Sequence, residues 1–307
     1  MTEVRPSVRT LFRAASFFAL VAVIMGSVVC ATDSGFECGN WPGCTDRALL
    51  PSDGVVALLY RNPWIEMIHR TSAILAGPLA LACAVVALRL RGVHPLVKVL
   101  PWVAAAGALV AGYVGRGIVL GAVYPMWVGT ADLLSALACM GSLVVATVAL
   151  ERRSGFRPTQ AGKAAWAAVA LLVVSHAVAL WTAGAGSYTR CMSWPVWTSV
   201  PGDNALLAGV RYVLTGAALV AIVVVVRALL GRDRALAWTI AGLTGLVLVL
   251  GVVIGWAHIA SLGFVYSAVT VVLLASLVLA AARESFAVRG AGGRPVAATE
   301  DHVGASR

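Results

Sequence analysis

Eight apolar stretches alternate with polar turns along this chain of 307 residues. A helix needs about 20 mostly apolar residues to cross the hydrocarbon core of a bilayer. That ruler predicts spans near 11–31, 64–88, 97–119, 126–150, 164–186, 205–230, 236–260 and 264–282. No stretch has the strict alternation of a membrane β-barrel strand, so each reads as a helix that satisfies its own backbone in lipid.

Composition and charge agree with the pattern and orient it. Hydrophobic residues make up 60% of the chain and charged residues 12%, a balance that excludes a soluble domain of this length. Basic residues gather at alternate ends of the spans. Arg5, Arg9 and Arg13 precede the first, Arg89, Arg91 and Lys98 flank the second turn, and Arg152, Arg153, Arg157 and Lys163 the fourth. Arg232, Arg234, Arg283, Arg289, Arg294 and Arg307 continue the series, whereas the longest loop of the other side carries Asp33, Glu37, Asp46 and Asp53. The positive-inside rule places both termini in the cytoplasm of a multi-pass protein of the cell membrane. The net charge of +10 then reflects this asymmetry and attraction to the bilayer, with no nucleic-acid partner. The first span is long and lacks a small-residue cleavage site, so it is not an obvious signal peptide.

The chain repeats itself. Cys38-Gly-Asn-Trp-Pro-Gly-Cys44 follows the first span and Cys191-Met-Ser-Trp-Pro-Val-Trp197 follows the fifth. Each precedes a span with an early arginine, Arg70 in His69-Arg70 and Arg211 in Val210-Arg211. The expected architecture is all-α, with eight transmembrane helices as two pseudo-symmetric four-helix bundles, residues 1–154 and 155–284. Residues 285–307 form a Gly-, Ala- and Arg-rich tail expected to be disordered in the cytoplasm.

The candidate chemistry lies toward the loop side. Glu66 and His69, three apart on span two, share a helical face, and Asp132 on span four reaches a similar depth. Such groups are costly in the membrane. They mark either a cofactor or proton site inside the first bundle, or an interfacial anchor that snorkels to the headgroups. His176 is deeper in span five and suits structural hydrogen bonding more than ligation, and His258 sits at an ordinary interfacial position. Cys83 and Cys139 read as small core residues. Cys38 and Cys44 share one loop, where a disulfide would be either a structural staple or a redox-active pair. Cys30 and Cys191 can pair only if the halves bring them within reach.

The run Asp33-Ser-Gly-Phe-Glu-Cys38-Gly-Asn-Trp-Pro-Gly-Cys44, followed by Glu66-Met-Ile-His69-Arg70, resembles the signature of the haem A synthases, eight-helix proteins of two four-helix halves. The resemblance implies a membrane oxidoreductase that converts haem O to haem A by oxidising a methyl group, for terminal oxidases. It implies His69 as a haem-iron ligand, Glu66 as the catalytic carboxylate, and Cys38 and Cys44 as the cysteine pair of the first half. Arg70 and Arg211 are expected to bind haem propionates, against plain snorkelling. The implied cofactor is haem, b-type or haem O as substrate. The implied partners are haem O synthase and terminal oxidase assembly factors, and a homo-oligomer is left open.

The sequence departs from that family at three ligand positions. Asp132, Val210 and Tyr266 stand where histidines are expected on spans four, six and eight. Valine cannot ligate iron, so the second half lacks the usual pair of histidines. A shifted site using His176 and His258 is not demanded by their spacing. The alternative function is therefore a non-catalytic haem-binding or oxidase-assembly relative. A transporter ranks third, because no span shows the broken helix pairs of transporter sites.

Overall fold

A computed structural model describes residues 4–51, 59–152, 155–182, 205–257 and 260–286. Among these residues the protein is entirely helical, with eight long helices and no strand. They are α1 Pro6–Ala31, α2 Pro63–Arg89, α3 Pro95–Val119, α4 Met126–Arg152, α5 Gln160–Thr182, α6 Ala205–Leu229, α7 Arg234–Ala257 and α8 Gly263–Ser285. All eight are long and apolar enough to cross a membrane, and the chain is a multi-pass helical membrane protein.

Local chemistry sets the helix ends. Prolines stand in the first turn of α1, α2 and α3, where a missing N–H costs nothing. Asn62 caps α2 by accepting the Trp64 N–H, and His94 caps α3 by accepting the Leu96 N–H. Two helix starts differ from the apolar windows by four residues or more. Helix α1 begins five residues before its window, so Arg9 lies within it, and Arg13, already inside the window, pairs with Glu151 at 2.7 Å. Helix α5 begins at Gln160 rather than 164, because the Thr159 hydroxyl accepts the Gly162 N–H.

The helices pack as two rings. In the first, α1 contacts α2, α2 contacts α3, α3 contacts α4, and α4 returns to α1. In the second, α5, α6, α7 and α8 close in the same way. The rings join where α8 contacts α1 and α4, and where α4 contacts α5. Accordingly α4 and α8 are the most buried helices. At the end bearing the basic residues, Glu284 on α8 accepts from Arg232 (2.8 Å) and from the Thr159 hydroxyl (2.7 Å). The Phe286 ring stacks edge-on against both Phe156 and His94, tying α8 to the α2–α3 turn. The tail from 287 lies outside the described residues.

Candidate functional site

The loop after α1 is fastened to α2 by one buried ion pair. Arg70 is 6% exposed and Glu66 2%. Their i, i+4 spacing puts both side chains on one face of α2, pointing at the loop. Arg70 Nη2 donates to Glu66 Oε1 and to the carbonyl of Cys38 at 2.9 Å. Its Nη1 donates to the carbonyls of Asn40 at 2.5 Å and Gly43 at 2.8 Å. The other carboxylate oxygen, Glu66 Oε2, accepts the Cys38 backbone N–H at 2.9 Å. A buried cation thus meets three carbonyls and a carboxylate, and a buried carboxylate meets a cation and an N–H. This is the satisfaction that charges removed from water require.

The loop itself is closed by a disulfide between Cys38 and Cys44, with Cα atoms 4.2 Å apart and the Trp41–Pro42 peptide cis between them. The tight path also needs Gly43, since a Cβ there would lie 2.9 Å from the Ala48 carbonyl oxygen. From the end of α3, the Arg116 guanidinium covers the Trp41 ring at 5.4 Å. The loop is therefore held from beneath by α2 and from the side by α3. Cys83 and Cys139 are buried free thiols within α2 and α4. Cys30 is also disulfide-bonded, while the partner considered for it, Cys191, lies outside the described residues.

His69 turns away from the loop, toward α1. Its Nδ1 lies 2.9 Å from the Ala22 carbonyl oxygen. A carbonyl only accepts, so Nδ1 carries the proton and Nε2 is the basic nitrogen. Gly26, one turn along α1, makes room for the ring, because a Cβ there would come within 3.0 Å of His69 Cε1. The histidine is six residues into α2, about 9 Å below its start. Asp132 is six residues into α4, at the same depth, and is 1% exposed. Glu66 lies about one turn nearer the loop, and His69 shares its level with Asp132 within the first ring. The first two divide their work: Glu66 faces the loop and His69 faces α1.

The second ring differs. Val210 on α6 carries no donor or acceptor in its side chain and is 39% exposed, while Tyr266 on α8 is buried at 2%. Arg211 is buried at 3%, six residues into α6, a depth close to that of Arg70 in α2. Across from it on α5, His176 is 2% exposed with neither ring nitrogen hydrogen-bonded, and the hydroxyls of Ser175 and Thr215 are likewise unpaired. Among the described residues the expected structural hydrogen bond of His176 is not formed. His258 and the Cys191–Trp197 motif lie outside the described residues. No group of three or more potential metal-binding side chains occurs among the described residues.

Sequence reading missed Ala22, Gly26, Gly43 and Arg116. Gly43 had a signal in its place between Pro42 and Cys44, and Arg116 in being one of few cations on the loop side. Ala22 contributes only a carbonyl, which no side-chain pattern reveals. In comparison with known proteins, the chain matches no family model and no curated protein.

Proposed function

We propose that this chain is a divergent haem A synthase-like oxidoreductase that oxidises a methyl group of haem O to the formyl group of haem A. The observation that supports this reading best is the setting of His69. A histidine that ligates a metal through one ring nitrogen characteristically donates the other N–H to a carbonyl or carboxylate. His69 does so through Nδ1 to Ala22, in a space that Gly26 leaves open.

On this reading His69 Nε2 would hold the iron of the substrate haem, whose methyl group would give four electrons and four protons to an external oxidant and take its formyl oxygen from water or dioxygen. Glu66, one turn nearer the loop, is the catalytic carboxylate. Its proton traffic runs through Oε2, which accepts the Cys38 backbone N–H, because Oε1 faces the Arg70 guanidinium. Arg70 is committed to the loop and holds Glu66 in place, which leaves Arg211 as the cation for a propionate. The disulfide loop faces outward from the cell membrane and the basic ends face the cytoplasm, where haem O synthase and oxidase assembly factors are the expected partners.

The second reading, a haem-binding or assembly relative without turnover, is favoured by one observation: Val210 presents no ligand atom and is half-exposed at the position matching His69. One experiment separates the two. The protein is purified from cells co-expressing a haem O synthase, and its bound haem is extracted and typed. Haem A together with a spectrum that changes in His69→Ala supports the enzyme. Bound haem without haem A supports the second reading. Wild-type haem content and spectrum in His69→Ala would remove the His69 site and the enzyme reading that rests on it.

A further inference from the structure

A groove opens between the two rings toward the end that bears the basic residues. It is a cavity of about 340 Å³ bounded by α3, α4, α5, α8 and the linker, with Leu100, Leu137, Val145, Phe156, Trp166 and Val278 among its walls. Along α4 the lining runs from Leu137 to Val145, eight residues or about 12 Å. That is most of the depth of one leaflet's hydrocarbon, about 15 Å. A neighbouring transmembrane helix would need a groove twice as long.

The ends of the groove differ in chemistry. Toward Leu137 the walls are aliphatic. Toward the other end the Trp166 indole N–H donates to the Ser285 hydroxyl at 3.0 Å, so its polar edge sits at the level where a bilayer gives way to water. Three cations stand just beyond. Arg152 is two turns past Val145 on the same face of α4, Arg157 follows the wall residue Phe156, and Lys163 lies one turn before Trp166 on α5. None of the three forms an ion pair among the described residues, whereas Arg13, Arg232 and Arg283 each do.

We propose that this groove is a binding site for one anionic phospholipid, with an acyl chain between the rings and its phosphate among Arg152, Arg157 and Lys163. The match rests on an apolar slot one leaflet deep that ends at three uncompensated cations. The lipid would fill the seam where α4 meets α5 and α8, and so mortar the two halves together.

The test uses the full chain, delipidated in a neutral detergent and titrated with phosphatidylglycerol, phosphatidylcholine or inorganic phosphate, with thermal stability and native mass spectrometry as readouts. Phosphatidylglycerol should raise the melting temperature and remain bound at a stoichiometry of one. Phosphatidylcholine should bind more weakly by at least about tenfold, since each basic residue near an anionic lipid surface contributes roughly fivefold. The combined variant Arg152→Gln, Arg157→Gln, Lys163→Gln should lose that preference. Val145→Trp, which fills the slot and leaves the cations in place, should abolish stoichiometric binding. Equal affinity for phosphatidylcholine, full stabilisation by inorganic phosphate, or unchanged phosphatidylglycerol binding in the triple variant would overturn the assignment. If Val145→Trp misfolds, the triple variant still decides, because its changes lie at the water boundary.

Discussion

Replacing Arg70 by methionine should detach the disulfide loop from the bundle. The change keeps much of the side chain's apolar bulk and removes the guanidinium, with its bonds to Cys38, Asn40, Gly43 and Glu66. It also strands the Glu66 carboxylate, which is 2% exposed and keeps only backbone hydrogen bonds from the loop, at Cys38 and Glu37. Breaking one partner out of a buried ion pair costs about 3–5 kcal/mol, mainly through the charge left behind. Because these bonds hold one loop, the loss should register first as local opening. At about 1.4 kcal/mol per decade, 3 kcal/mol corresponds to an open population raised roughly a hundredfold. The assay is the rate at which a mild reductant opens Cys38–Cys44, followed by alkylation and mass mapping. Wild type should reduce slowly and Arg70→Met about a hundred times faster. The double variant Glu66→Gln, Arg70→Met should recover part of the difference, because no buried charge remains. A reduction rate within about threefold of wild type in Arg70→Met would show that the loop does not depend on the pair.

Three other substitutions test separate parts of the structure. His176→Leu should stabilise the protein by about 1–3 kcal/mol in detergent unfolding, because the histidine buries two nitrogens without partners; destabilisation would mean that the ring has a bound partner in the membrane. Gly117→Ala should push the Tyr124 ring aside, since a Cβ there would sit 2.0 Å from its hydroxyl oxygen, and should change stability by less than about 1 kcal/mol, because the helix propensity gained offsets the displacement; a larger loss that Tyr124→Ala restores would show that the ring is fixed. Glu284→Ala removes the acceptor shared by Thr159 and Arg232 and should lower stability by about 1–3 kcal/mol, read as a lower melting temperature; an unchanged value would show that the basic end of the second ring does not depend on this shared acceptor.

The helices were legible because hydropathy is a local property, and each span needs little more than its own twenty residues to be recognised. Where the windows strayed, local detail decided the boundary. Thr159 started α5 four residues early, and Pro6 in the first turn started α1 five residues early. The site was legible in its membership but less so in its wiring. Glu66, His69 and Arg70 stand out as polar residues in an apolar span, yet the sequence suggested a propionate cation where the structure has a loop clamp. What decides between those roles is the path of residues 38–44, which sets where three backbone carbonyls point. Carbonyl direction depends on tertiary placement of the loop over α2, and no residue type encodes it.

The wiring has a consequence for how the two halves of the motif act together. Glu66, His69 and Arg70 occupy little more than one turn of α2, but they bind different neighbours: the first and last hold the loop, the middle one holds α1. Helix α2 is thereby fixed in rotation from two directions. Turning it enough to release the Cys38 N–H from Glu66 would also draw His69 Nδ1 from the Ala22 carbonyl. Gly26 permits this seat, because a Cβ there would lie 3.0 Å from His69 Cε1. The disulfide keeps the loop carbonyls gathered around one guanidinium, and that guanidinium keeps the helix in register. The loop therefore positions the histidine without touching it. On this account Arg70→Met should alter not only the reduction of Cys38–Cys44 but also the orientation of His69. The imidazole proton resonance of His69, assigned by its loss in His69→Ala, should broaden or shift in Arg70→Met. An unshifted resonance alongside a freely reducible loop would mean that loop and histidine are independent, and that the motif is two devices sharing one helix.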